Sequence, residues 1–172
     1  MPYDRPHFRS FVSLLLALAP MAFPSVAHAD DRAAARTMFD EGRRLMKAGK
    51  VAEACAKFEA SSHLTQTAGV RLNLAVCWAK QGRTASAWGM YDEARALAER
   101  SGDTAAIEVA DKGKAELGPK LSKLVVTVAT GTPGIEVTRD GEPVPAGAYG
   151  MGVPVDPGEH RIEAHAAGRK AW

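Results

Sequence analysis

The feature of this sequence that most constrains its fold is an internal repeat with a period of 33 residues, between residues 35 and 100. At this offset small residues align with small residues and aromatic residues with aromatic residues. The matched pairs are Gly42 and Ala75, Leu45 and Trp78, Gly49 and Gly82, Ala54 and Ala87, Phe58 and Tyr91, and Ser61 and Ala94. Units of this length bury their apolar faces against one another, so the pattern predicts a stacked array.

The composition of residues 31–117 favours helix throughout, because the segment is rich in Ala, Leu, Glu, Lys and Arg and contains no proline. Short breaks divide it into five predicted helices of roughly 12 to 18 residues each. Ser101 and Asp103 are residue types that suit turns and caps, and Thr84 is predicted to cap the fourth helix before Ala85. The breaks lie at Gly49-Lys50, at 65–67, at Gly82-Arg83 and at Ser101-Gly102.

At the repeated positions the sequence resembles the tetratricopeptide repeat, whose small, large, glycine, alanine, aromatic and small positions follow in this order and spacing. The resemblance covers Ala35 to about Arg100 and implies two helical hairpins, with a helix at 104–117 capping the open end of the array. An unrelated helical bundle with alanine-rich interfaces is the alternative prediction.

The resemblance also implies a binding surface, because the first helices of tetratricopeptide hairpins line a concave groove. Cations in such a groove can hold a peptide carboxylate, an amide can bond to peptide backbone, and apolar side chains can fill a pocket. For each residue alone, packing or solvation is the alternative role. The residues implied to face the groove are Arg36, Phe39, Arg43, Met46, Lys47, Leu72, Asn73, Val76 and Lys80.

Two cysteines, Cys55 and Cys77, fall in consecutive helices of the implied array. Since consecutive helices pack against each other and an oxidising compartment permits pairing, a disulfide between them is one prediction. Two buried thiols that behave as small apolar residues are the other.

The residue types change at Gly118-Pro119, beyond which Val, Thr, Ile, Gly and Pro dominate. Apolar residues then recur at every second position, which is typical of strands. Asp140-Gly141 and Asp156-Pro157-Gly158 are predicted hairpin turns, and the whole is predicted to form one four-stranded antiparallel sheet with one buried face. The predicted strands are 123–129, 134–139, 153–155 and 159–166.

This part resembles the PEGA domain, a small β-sandwich of exported and surface bacterial proteins. Such domains commonly continue into a further strand, so we expect the β domain at 119–172 to be incomplete at Trp172. The motifs that carry the resemblance are Thr132-Pro133-Gly134-Ile135-Glu136-Val137, Arg139-Asp140-Gly141-Glu142-Pro143-Val144, the segment 153–162 with its Pro157-Gly158-Glu159-His160, and Gly168.

Residues 1–29 are predicted to be a secretory signal peptide. Arg5 and Arg9 precede a short apolar run at 11–19, and Ala27-His28-Ala29 fits an A-x-A cleavage site. The run is too short for a permanent membrane span. We therefore expect export to the periplasm or cell envelope, with a helical domain at 30–118 and a β domain at 119–172.

Charge and motifs exclude several classes of function. With 22 Lys+Arg against 20 Asp+Glu, the net charge of +2 gives no strong field for nucleic acid. The sequence contains no G-x-S-x-G, H-E-x-x-H or G-x-x-x-x-G-K-[ST], and His160 and His165 point to opposite faces of one predicted strand. We expect no enzyme activity, no cofactor and no metal site.

The fold class predicted from the sequence is therefore α + β in separate modules: a tetratricopeptide-like array followed by a small antiparallel β-sandwich or sheet. The predicted function is that of an exported, non-enzymatic scaffold whose groove binds a peptide or protein partner. The alternatives are a structural spacer or self-associating envelope protein, and a cell-wall glycan binder that uses Tyr149, Arg169-Lys170 and Trp172.

Overall fold

The structure, a computed structural model, describes residues 27–129, 134–166 and 168 of the chain. Within this part five α-helices are followed by small antiparallel β-sheets, which confirms the predicted order of a helical part and a β part. The helices are α1 (Ala27–Lys47), α2 (Val51–Leu64), α3 (Ala68–Lys80), α4 (Thr84–Ser101) and α5 (Thr104–Leu117). A 3₁₀ turn, Gly118–Lys120, then leads into the strands.

The helices break where the sequence predicts. Gly49 and Gly82 adopt φ values of +76° and +80°, a left-handed conformation that glycine reaches without steric cost. The Asp103 carboxylate caps α5 by accepting a hydrogen bond from Ala106 N at 3.0 Å. The prediction that Thr84 caps α4 is wrong, because Thr84 is itself the first helical residue and Arg83 holds the capping position.

Close packing of the hairpins depends on glycine. A Cβ atom added to Gly42 would lie 2.7 Å from Phe58 Cε1, so only glycine leaves room for the ring of Phe58, which is fully buried. In the second hairpin, Tyr91 packs instead against Gly113 of α5, where an added Cβ would lie 2.6 Å from Tyr91 Cε1. Gly42, a small residue at a matched position of the repeat, thus permits the close approach of α1 and α2.

The helical part has two clusters of buried side chains. Trp78 and Met90, both partly buried, border each of them. The first cluster contains Leu45, Ala54, Cys55, Phe58, Leu74 and Cys77, and the second contains Ala75, Ala87, Tyr91, Ala110 and Leu117. In the first cluster the Sγ atoms of Cys55 and Cys77 are joined at 2.08 Å. Formation of this disulfide in the protein as cells produce it stays a prediction.

Within the described residues the strands form two sheets, so the prediction of one four-stranded sheet is wrong. The strands are β1 (Ser122–Val125), β2 (Glu136–Arg139), β3 (Glu142–Pro143), β4 (Gly152–Val155) and β5 (Ile162–His165). In one sheet β1 pairs with β4, with Leu124 opposite Val153. In the other sheet the order is β3-β2-β5, with Val137 opposite Ala164.

The Asp140-Gly141 hairpin is confirmed, since it joins β2 to β3 with Arg139 opposite Glu142. The segment Asp156-Pro157-Gly158 is not a hairpin turn: β4 pairs with β1 and β5 with β2, so this segment carries the chain from one sheet to the other. Pro154 gives β4 one backbone donor fewer, which is typical of strands at a sheet edge.

Several predictions concern residues outside the described part of the chain. Residues 1–26 of the predicted signal peptide lie there, as do Arg169, Lys170 and Trp172. The first helix begins at Ala27, just before the predicted mature start at Asp30. None of the described helices is long and apolar enough to cross a membrane.

Candidate functional site

A depression of about 510 Å³ lies between α1 and the first turn of α3. Three of the predicted groove residues, Arg36, Phe39 and Arg43, line it from α1. The other residues around it are Arg32, Ala35, Asp40, Ser61, Thr65, Thr67, Gly69 and Val70. Of the five α1 residues predicted to face the groove, these three therefore share one cavity. The other two, Met46 and Lys47 at the C-terminal end of α1, do not line it.

Helical spacing explains why α1 presents these three side chains together. Phe39 and Arg43 follow Arg36 by three and seven residues, so all three side chains fall on the same face of the helix. The adjoining face of α1 is turned toward α2 through Ala35, Gly42 and Leu45, which are buried. Ser61 Oγ on α2 donates a hydrogen bond to Ala35 O at 2.9 Å and fastens the two helices beside the cavity.

An aromatic contact holds the wall of the depression in place. The ring of Phe39 lies 5.7 Å from that of the buried Phe58, at an interplanar angle of 54°. The Arg43 guanidinium carbon lies 5.9 Å from the centre of the Phe39 ring, within the range of a cation–π contact. Phe39 thus offers a partly buried apolar surface with a cation beside it.

The charge of the depression is mainly positive but partly compensated. Arg36 Nε donates to Asp40 Oδ2 at 3.0 Å, and both side chains are exposed. The first turn of α3 adds a positive helix-dipole end, capped by Thr67 Oγ1, which accepts from Val70 N at 3.4 Å. An anionic group entering here would meet cations and an apolar ring together.

Four predicted groove residues lie elsewhere. Met46 packs on the first buried cluster and Leu72 on the second. Asn73 Nδ2 donates to Gly69 O at 2.8 Å within its own helix, so its amide is engaged. Lys47 is exposed at the last residue of α1.

The remaining two, Val76 and Lys80, line a second depression of about 340 Å³ between α3 and α5. Burial, and then the nearby Glu116 carboxylate, raise the pKa of Tyr91 in its wall. The other residues around it are Ala79, Gly113, Leu117 and Lys120. The nine predicted residues therefore do not share one cavity.

The described residues contain no group of three or more His, Cys, Asp or Glu side chains that could hold a metal ion. His63 and His165 are exposed, whereas His160 is partly buried. Tyr149, part of the predicted glycan surface, is partly buried in the link before β4.

Sequence reasoning missed a polar network that connects the helical part to the β part. Glu59 Oε1 accepts from Trp78 Nε1 at 2.6 Å and from Arg83 Nη1 at 3.2 Å. The guanidinium carbon of Arg83 lies 4.1 Å from the centre of the Trp78 ring. Arg83 Nε is also 3.6 Å from Asp156 Oδ2, and the Asp156 carboxylate binds Ser86.

The one sequence signal for this network is an unsuitable capping residue. Arg83 precedes α4 where a Ser, Thr, Asp or Asn side chain would satisfy the first N–H groups. A helix start of this kind leaves its first N–H groups to water or to an acceptor from elsewhere in the chain, and nothing in the sequence indicates that Asp156 supplies one.

In comparisons with known proteins, no family model, curated protein or solved structure matches this chain. The resemblances to the tetratricopeptide repeat and to the PEGA domain therefore stay predictions that depend on the residues named for them.

Proposed function

We propose that this protein is an exported, non-enzymatic interaction protein whose helical part binds a peptide or protein segment in the depression between α1 and α3. The observation that carries the proposal is the convergence of Arg36, Phe39 and Arg43 around one cavity of about 510 Å³. This volume lies within the range of common ligand sites, about 300–1,000 Å³.

The chemistry of the lining favours a partner that carries a carboxylate next to an apolar side chain. The guanidinium groups of Arg36 and Arg43 can form charge-assisted hydrogen bonds with the carboxylate, and the ring of Phe39 can contact the apolar group. Because Asp40 already compensates part of the charge of Arg36, we expect shape and apolar contact to contribute alongside charge.

The architecture and the location belong to the same proposal. The 33-residue period and the five helices support a tetratricopeptide-like array, and the motifs of the strands support a PEGA-like domain. The predicted signal peptide supports a periplasmic or envelope location, where the partner would be an envelope protein or peptide.

A photo-crosslinking experiment tests the binding site. Benzoylphenylalanine replaces Phe39 in protein expressed in the source cells from the full chain, and the matched control places it at Ala56, an exposed position of α2. We expect defined adducts from position 39 and none from position 56. Arg36→Glu together with Arg43→Glu should abolish them.

The binding proposal is wrong if both positions give the same adducts, or if charge reversal leaves the adducts of position 39 unchanged. Circular dichroism of the Arg36→Glu/Arg43→Glu variant provides a folding control. Both arginines are exposed, so the helical signal should be retained.

A second candidate function, self-association as an envelope spacer, is favoured by apolar side chains at the β1–β4 sheet. Val125 and Met151 are 53% and 60% exposed. Light scattering separates the two candidates: a monomer that crosslinks through position 39 supports the groove, and concentration-dependent dimers weakened by Met151→Lys support self-association.

A further inference from the structure

His160 lies between two hydrogen-bond acceptors. Its Nδ1 atom is 2.7 Å from Asp140 Oδ2, and its Nε2 atom is 2.7 Å from the backbone oxygen of Asp156. A carboxylate and a carbonyl can only accept, and a neutral imidazole carries a single N–H. Both contacts are therefore satisfied only when His160 is an imidazolium with a proton on each nitrogen.

Asp156, whose backbone oxygen contacts His160 Nε2, also makes the main polar contact with the helical part. Asp156 Oδ1 accepts from Ser86 N at 2.9 Å, and Asp156 Oδ2 accepts from Ser86 Oγ at 2.5 Å. Ser86 N is one of the N–H groups left open at the start of α4. Asp156 thus acts as the cap of α4, and α4 with β4 forms the principal contact between the helical part and the strands.

We infer that the contact between the β part and α4 is a proton-controlled latch, closed when His160 is protonated and opened when it loses its proton. The latch consists of Asp140, His160, Asp156 and Ser86. This inference does not depend on the groove between α1 and α3.

The acceptors around His160 decide which contact is lost on deprotonation. A carboxylate is a stronger acceptor than a backbone carbonyl, and Asp140 Oδ1 is further positioned by Arg161 N at 2.9 Å. The one remaining proton therefore stays on Nδ1, toward Asp140. The lone pair of Nε2 then faces the Asp156 oxygen and repels it, which shifts the segment that presents the Asp156 carboxylate to Ser86.

Charged groups from each neighbouring element act on the latch. On the β2 side the Asp140 carboxylate stabilises the imidazolium, and Arg139 opposes it. On the helical side Arg83 Nε lies 3.6 Å from Asp156 Oδ2 and favours the closed arrangement. Beyond His160, Arg161 pairs with Glu163 at 3.0 Å and is largely neutralised.

The direction of the pH dependence follows from these contacts. The hydrogen bond with Asp140, and then the bond to the backbone of Asp156, raise the pKa of His160 above its ordinary value of 6.5. The same bond to His160 lowers the pKa of Asp140 below its ordinary value of 3.8. The latch is therefore fully closed in mildly acidic solution and opens as the pH rises through the raised pKa of His160. It also weakens in strong acid, as the pH falls through the lowered pKa of Asp140.

Nuclear magnetic resonance of the isotope-labelled protein, expressed from the full chain, tests the latch between about pH 5.5 and about pH 8.5. We expect the His160 ring and the Ser86 amide to titrate with one common midpoint. The hydrogen-exchange protection factor of the Ser86 amide should fall about tenfold across this range, as expected for loss of one charge-assisted hydrogen bond.

His160→Gln should remove the Ser86 titration, and His165→Gln, at an exposed histidine of β5, should leave it unchanged. Asp140→Asn serves as the second variant, because it should lower the midpoints of His160 and Ser86 together. The latch is refuted if Ser86 does not titrate while His160 does, or if its titration persists in His160→Gln.

Discussion

At the scale of single residues, the packing of this protein depends on how closely α1 and α2 approach. The ring of Phe58 occupies the space that a side chain at Gly42 would fill, and Phe58 is among the largest fully buried side chains. Protein interiors are close-packed, so an added methyl group fits only if neighbouring atoms move.

Gly42→Ala should therefore destabilise the protein. Its Cβ would lie 2.7 Å from Phe58 Cε1, and overpacking of this kind costs about 1–3 kcal/mol in the free energy of unfolding. Urea denaturation followed by circular dichroism measures the change.

Gly89→Ala is the matched control for this substitution. Gly89 also lies inside a helix. Apart from its two chain neighbours and the nearby backbone of its own helix, no described atom would lie within 4 Å of an added Cβ. Alanine there should raise the free energy of unfolding by about 0.5–1 kcal/mol, since it is the better helix former. Equal losses for both variants would contradict the packing explanation.

At the scale of elements, the N-termini of α4 and α5 are capped in different ways. The fifth helix is capped locally, because Asp103 binds the N–H of Ala106 three residues later. The fourth helix is capped by Asp156, a residue 70 positions away in sequence from Ser86. Thr84 takes no part in this, since the described residues offer its buried Oγ1 atom no hydrogen-bond partner.

Substitutions at the caps should separate these roles. Asp103→Ala and Asp156→Ala should each lower the free energy of unfolding by about 1 kcal/mol, the usual cost of losing a capping side chain. Thr84→Ala should cost nothing or stabilise slightly, because it removes a buried hydroxyl that is not satisfied.

Thermal or urea unfolding measures all three variants. Amide exchange shows where each acts: Asp156→Ala should expose the first turn of α4, and Asp103→Ala that of α5. A loss of stability in Thr84→Ala comparable to that of Asp103→Ala would mean that Thr84 does cap its helix.

At the scale of the whole molecule, the bond between Cys55 and Cys77 ties the first hairpin to the second. Both cysteines are buried in the first cluster and lie on α2 and α3. The bond closes a loop with a sequence separation of 22. A short array has few neighbouring repeats to support it, so a covalent link between its units matters more than in a long one.

In protein isolated from an oxidising compartment, alkylation without reductant should modify neither cysteine, as read by mass spectrometry. Reductant should lower the free energy of unfolding by about 3 kcal/mol, the value expected for a loop of this size. The matched control is Cys55→Ala/Cys77→Ala, whose stability reductant should not change. Two alkylated cysteines would show that the thiols do not pair.

The contact between the helical part and the strands is a second feature of the whole molecule. Polar groups contribute to it, among them Arg83, Ser86 and Asp156. Contacts of this kind are expected to open and close more readily than a hydrophobic interface. A contact that opens readily can be controlled by the protonation of one histidine, His160.

The sequence by itself determined the features that depend on bonds between near neighbours. The five helices, the turns at Gly49 and Gly82, the cap at Asp103 and the Asp140-Gly141 hairpin were all predicted. In each of them the interacting groups lie within about five residues, so residue type and spacing are sufficient.

Only the tertiary structure decided the pairings between distant segments. Strand β4 pairs with β1, and Ser122 lies opposite Val155, although the sequence suggested a hairpin with the strand that follows. Likewise Met46 packs against a buried cluster and does not line the depression between α1 and α3. These outcomes depend on which distant surfaces bury the most apolar area and satisfy the most open N–H groups. Asp156 at the start of α4 is the clearest example, since nothing in the sequence indicates which helix a distant carboxylate will cap.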